Sequence, residues 1–128
     1  MSYQYFPDYE LECKCGCGAK DMDPEFMYRL IRLRDTLGFP FPVSSAFRCA
    51  KHNRRVSRTG MTGPHTTGRA VDIRTSGERA WEIFTEAKRF GFTGIGVRQH
   101  GPFSQRIVHL DDLTAPEFPR PRIWSYKA

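Results

Sequence analysis

Apolar residues recur at helical spacing after Asp23. Phe26, Leu30, Leu33 and Leu37 share one face, and Met27 and Ile31 widen it. Asp23 suits an N-cap and Pro24 the first helical position; Gly38 stands where a left-handed residue closes a helix, and Pro40 blocks continuation. The spacing predicts a helix over 24–37 with a buried stripe. A second amphipathic run follows Thr75, whose spacing to Glu78 matches a capping box. Ala80, Trp81, Phe84, Ala87 and Lys88 trace the face expected to be buried, Ile83 and Phe90 flank it, and Gly91 ends the helix. Alternation marks the strands. Val43, Ser45 and Phe47 share a face; Val71 and Ile73 oppose Ala70, Asp72 and Arg74; residues 93–97 carry glycines at 94 and 96; Ile107, His109 and Asp111 share a face within 106–111; and a short strand is expected near 123–126. Residues 49–64 read as a short helical turn and a Gly- and Thr-rich loop, and residues 1–20 as an arm without a clear period. Helices and strands alternate too seldom for a wound parallel sheet. The pattern predicts an α+β domain, a small antiparallel sheet flanked by helices.

Length and composition limit the classes. At 128 residues, with 39% hydrophobic and 13% aromatic side chains, the chain is expected to fold as a single domain over 1–128. A net charge of +6 favours an anionic partner: nucleic acid, anionic lipid or cell wall. No RNP-like, zinc-finger or helix-turn-helix pattern is present, so nucleic acid is not expected. No apolar run approaches membrane-spanning length, so no membrane insertion is expected. The first residues lack a basic stretch followed by an apolar one, so a signal peptide is not expected and the chain is read as cytoplasmic when synthesised.

Cys13, Cys15 and Cys17 lie within the arm and Cys49 follows the first strand. Without a secretory signal, metal binding or free thiols outrank disulfides. The spacing is not the C-x-x-C of zinc ribbons. A structural four-cysteine metal clip, an oxidisable pair and plain buried thiols all remain open.

The remaining chemistry centres on Gly63–Ile73 and on Arg106–Asp111. The first places His65 on a loop between two glycines and Asp72 on a strand; the second places His109 on another strand. Two histidines and one carboxylate make the ligand count of a catalytic Zn2+ site with one position left for water. His109 and Asp111 share a face roughly 7 Å apart along the strand, so one could bind the ion while the other reaches water or substrate.

Three pieces occur in order: Ser44-Ser45-Ala46-Phe47-Arg48-Cys49-x-x-His52-Asn53, His65-x6-Asp72 within HTTGRAVDI, and VHLD at 108–111. Together they resemble the M15 zinc peptidases, the D-alanyl-D-alanine carboxypeptidases and related phage endolysins. The CKCGCG arm resembles one branch of short members. The resemblance spans about residues 10–126. It implies a fold shared with the hedgehog signalling domain, Zn2+ held by His65, Asp72 and His109, and Arg48 beside the developing oxyanion or a substrate carboxylate. It also implies cleavage of a peptidoglycan peptide, often next to a D-residue. A monomer is expected, and the missing signal peptide fits either phage-type release to the wall or action on recycled wall peptides in the cytosol. The sequence departs from the family at the general base. Many members carry Glu or Asp three residues before the last ligand and others His two before; here Arg106 and Ile107 stand there. Asp111 and then His100 are the candidates that remain, and a base must reach the attacking water directly or through one other water. The alternative function is a non-catalytic, zinc-containing wall-binding or phage structural module.

Overall fold

The structure is a computed structural model that describes residues 2–127. Its centre is a five-stranded sheet of β1 (Val43–Ser45), β2 (Ala70–Arg74), β3 (Gly94–Arg98), β4 (Ile107–Asp111) and β5 (Arg122–Ser125), in the spatial order β1-β2-β4-β3-β5. Four helices accompany it among the described residues: α1 (Asp8–Leu11), α2 (Pro24–Leu37), α3 (Ala50–Val56) and α4 (Gly77–Glu86). The α+β class is as expected. The sheet is antiparallel except at one edge, where β5 runs parallel to β3. The chain leaves β4 through the proline-rich segment 112–121 and returns beside β3 without pairing with β4.

Period-2 alternation divides the sheet into two faces. Val71 and Ile73 of β2 and Val108 and Leu110 of β4 are fully buried on one face and join Phe26, Met27, Leu30 and Leu33 of α2 in the core. The α2 boundaries follow from its caps. Asp23 Oδ1 accepts hydrogen bonds from the Glu25 and Phe26 amides at 2.9 and 3.2 Å, and Gly38 ends the helix with φ 77°. Phe26 meets Phe92 edge to face at 5.7 Å, tying α2 to the turn that precedes β3.

Two expectations for α4 give way. Its N-cap is Ser76, with no side-chain cap bond, while Thr75 is buried and its amide donates to Arg106 O at 3.2 Å. The buried stripe is Ala80, Ile83 and Ala87; Trp81 is 66% exposed and Lys88 is exposed as well. Two stripes one residue apart compete on this helix. The one carrying two alanines lets the helix approach the core closely, so it faces inward. The arm is also more ordered than its sequence suggests. It contains α1, it buries Phe6 and Leu11 in the core, and Leu11 O accepts from the Phe47 amide at 3.3 Å. Among the described residues, no helix is long and apolar enough to cross a membrane.

Candidate metal centre

The opposite face of the sheet carries the polar residues of β2 and β4. Asp72 and His109 are direct partners across the β2–β4 ladder, so their side chains leave the sheet together. His65 approaches from a 3-10 turn, Pro64–Thr67, closed by Gly68 with φ 76°. Its Nδ1 lies 2.8 Å from Ala46 O. A carbonyl only accepts, so Nδ1 donates to it, which leaves Nε2, 3.3 Å from Asp72 Oδ1, as the nitrogen that can face an ion. His109 Nδ1 lies 2.9 Å from the same oxygen. All three residues are buried, and their donor atoms fall within 4.8 Å of one another. Ligands about 2.0–2.1 Å from a tetrahedral ion stand roughly 3.3 Å apart, so this nitrogen and oxygen set fits a small divalent cation.

Electrostatics point the same way. His109 lies between two carboxylates, with Nδ1 on Asp72 and Nε2 at 2.8 Å from Asp111 Oδ2. Burial favours the neutral imidazole, but hydrogen bonds to Asp111 and Asp72 and their charges override it and raise its pKa to about 9. Burial likewise pushes the Asp72 carboxyl upward, yet the charge of His65 and the hydrogen bond to His109 hold it well below the usual carboxylate range. The proton on His109 Nδ1 occupies the place of a cation.

This has a measurable consequence in the metal-free protein. The folded pKa of His109, about 9, exceeds its ordinary 6.5. The stability it contributes is complete below the ordinary value and is lost as pH rises through the folded one. Thermal unfolding in chelator should show the midpoint falling across that interval. Added zinc should remove or reverse the trend, because the ion displaces this proton and binds more tightly as pH rises. A metal-free midpoint that is level or climbs over the same range would contradict the arrangement.

Behind His109 stands Asp111, fully buried. Arg120 clamps it with two prongs, Nε to Oδ1 at 2.9 Å and Nη2 to Oδ2 at 2.8 Å, while Oδ2 also accepts from His109. Burial pushes its pKa up, but Arg120 and His109 draw it down to about 2. Asp111 is absent from the cleft walls, so it is not placed to take a proton from water there. His100 does no better: its Nε2 faces Tyr126 O at 3.3 Å, and it too is absent from the walls. Neither candidate for the general base, Asp111 or His100, lines the cleft.

His65, Asp72 and His109 line a cleft of about 510 Å3. Arg48 forms one wall. Its Nε donates to Ser45 Oγ at 3.2 Å and Nη1 to Asn53 Oδ1 at 3.1 Å, while Nη2 points toward Asp72 Oδ2 at 3.8 Å. Asn53 is itself buried and donates to Thr59 Oγ1 at 2.9 Å, so the guanidinium rests on a fixed support. The facing wall comes from residues 117–126. The Trp124 ring lies 5.0 Å from that of His109, and Tyr126 and Glu117 complete the wall. Burial, then the charge of Asp72, raises the Tyr126 phenol to about 12, so it remains a hydrogen-bond donor at neutral pH. Two β3 glycines make room for Trp124 and for the Asp111–Arg120 pair. A Cβ on Gly96 would stand 2.5 Å from Trp124 Nε1, and one on Gly94 would stand 2.2 Å from Asp111 Oδ1.

Sequence reasoning brought His65, Asp72, His109 and Arg48 into one place, and the structure gathers them. It missed Arg120, Trp124, Tyr126 and Glu117. The proline-rich segment has no period to read, and the visible clues were the β3 glycines and the alternation of Trp124 with Tyr126. Cys13, Cys15, Cys17 and Cys49 form a separate cluster between the arm and the start of α3.

No curated protein and no solved structure matches the chain. A family model does, Peptidase M15, over residues 4–111. That span contains every element carrying His65, Asp72, His109 and Arg48, and its members are metal-dependent. The chain belongs to the M15 peptidase family and is a metallopeptidase.

Proposed function

We propose that this chain is a zinc peptidase that hydrolyses peptide bonds of peptidoglycan stem peptides or cross-links, next to a D-amino acid. The observation that carries this reading is the convergence of His65 Nε2, Asp72 Oδ1 and His109 Nδ1 at the wall of a cleft that also presents Arg48. Zinc bound by these three residues supplies a Lewis acid and lowers the pKa of a coordinated water toward neutrality.

The protein residues do the rest. Arg48, held at Nε and Nη1, keeps Nη2 free on the side of Asp72, where negative charge develops on the scissile carbonyl oxygen. The Tyr126 hydroxyl supplies a second donor. Asp111 acts through His109: it accepts from Nε2, so Nδ1 keeps its lone pair for the ion. Glu117 is the cleft-wall carboxylate not committed to the ion, and it takes the role of general base. Arg122 at the cleft mouth joins Arg48 in favouring a carboxylate-bearing peptide, which stem peptides are.

The test uses purified sacculi and three preparations of the protein: zinc-loaded, chelated, and chelated then restored with zinc. Soluble muropeptides should appear with the first and third only, and their masses identify the bond cut. Release that is unchanged by chelation would overturn the zinc mechanism. Sacculus binding without any release by the loaded protein would replace the enzyme with a non-catalytic wall-binding module.

A further inference from the structure

The M15 chemistry makes no use of the four cysteines. All are free thiols, and they come from two distant parts of the chain. Cys13 Sγ lies 3.5 Å from Cys15 Sγ and 3.7 Å from Cys49 Sγ, and Cys15 Sγ lies 3.7 Å from Cys49 Sγ. Cys17 joins them, with all four sulfurs within 4.8 Å of one another. A tetrahedral zinc with Zn–S bonds of about 2.3 Å sets its sulfurs about 3.8 Å apart. The three shortest separations are close to that edge length. Two disulfides would instead pair the sulfurs at about 2 Å and leave the pairs apart.

The surrounding backbone is shaped for such a site. Gly16 and Gly18 adopt φ of 88° and 80°, which lets the C-x-C-x-C segment curl so that alternate side chains converge instead of pointing to opposite sides. The Cys13 amide donates to Ala19 O at 2.8 Å and closes the loop. The Cys49 amide donates to Cys13 Sγ at 3.3 Å, a partner suited to a thiolate. Lys14, Arg48 and Lys51 adjoin the cysteines in sequence and offset the negative charge of four thiolates.

Little buried apolar surface holds the arm here. Between Leu11 and Met22, Cys13 alone is buried, and Cys15 and Cys17 are exposed. A segment with so little buried apolar surface does not hold a closed loop by packing.

We propose that Cys13, Cys15, Cys17 and Cys49 bind a second zinc ion, purely structural, that staples the N-terminal arm to the segment carrying Arg48. A closed shell of four thiolates leaves no position for water, so this ion takes no part in hydrolysis. Its effect is mechanical. Cys49 directly follows Arg48, and the Arg48 amide donates to His65 O at 3.0 Å, so the staple fixes the backbone beneath both cleft residues.

The experiment is metal counting on the full chain, purified reduced and with zinc available. The wild type should carry two zinc ions per chain. A Cys15→Ser/Cys17→Ser variant and a His65→Ala/His109→Ala variant should each carry one. If the His/Asp centre fails to bind zinc while the staple is real, the histidine variant will match a one-zinc wild type and the cysteine variant will carry none. Cobalt substitution gives a check that does not depend on the variants folding. Thiolate-to-cobalt charge-transfer absorption should appear in the wild type and survive in the histidine variant. Thiol-reactive dye should find the four cysteines protected until a chelator releases zinc. A zinc content unaffected by the cysteine substitutions, no thiolate–cobalt absorption, or alkylation masses showing disulfides in the native protein would each overturn the proposal.

Discussion

Arg48→Ala is expected to lower hydrolysis of the proposed peptidoglycan substrate by roughly 10²–10³-fold, the usual cost of removing one donor to a developing oxyanion. The His/Asp centre should keep its zinc, because Arg48 is not among the donor atoms and its Nη2 stands 3.8 Å from Asp72. The loss should fall on kcat if the guanidinium acts on the transition state, and on KM if it holds a substrate carboxylate in the ground state. Arg48→Lys should recover little. Lysine keeps the charge, but it cannot bond Ser45 Oγ and Asn53 Oδ1 while still offering a third nitrogen to the cleft. Steady-state kinetics on a soluble muropeptide, with metal content measured on the same samples, decides the matter. Activity of Arg48→Ala within a few-fold of wild type would remove Arg48 from the mechanism.

The parts of this molecule that were readable in advance share a physical property: their determinants are local. Helix α2 is fixed by Asp23, Pro24, Gly38 and one apolar stripe, all within its own stretch. Strands β2 and β4 show their buried face through plain alternation, and that alternation places Asp72 and His109 on the other face. Once the two strands pair in register, these two side chains meet.

What could not be read depends on long-range competition. On α4, two stripes of nearly equal hydrophobicity differ by one residue, and only the distance to the sheet selects Ala80, Ile83 and Ala87 over Trp81. The parallel pairing of β5 with β3 depends on how 112–121 wraps around the β3 edge, which prolines permit but do not specify. Asp111 was recognised as a site residue, yet its surroundings could not be read for the same reason. Same-face spacing puts it near His109, but it does not reveal that Arg120 reaches in from the proline-rich segment and occupies both oxygens.

That clamp sets the largest stability effect in the site. Asp111→Ala is expected to destabilise the protein by about 3–5 kcal/mol, because it strands the Arg120 guanidinium, whose side chain is only 4% exposed, without a counter-charge. The same substitution should weaken zinc binding at the His65/Asp72/His109 centre by roughly 10–100-fold, since nothing then fixes the proton on His109 Nε2. The two effects have different causes and can be separated. Adding Arg120→Met to Asp111→Ala removes the stranded charge, so stability measured by denaturant unfolding should return in large part. Zinc affinity should stay low, because His109 still lacks its acceptor. A double variant that regained both would mean that Asp111 serves the centre only by holding the fold together. One that regained neither would mean that Arg120 supports the cleft wall through its packing over Phe118 and Trp124, where its guanidinium carbon lies 5.7 and 5.2 Å from the two rings, more than through its charge.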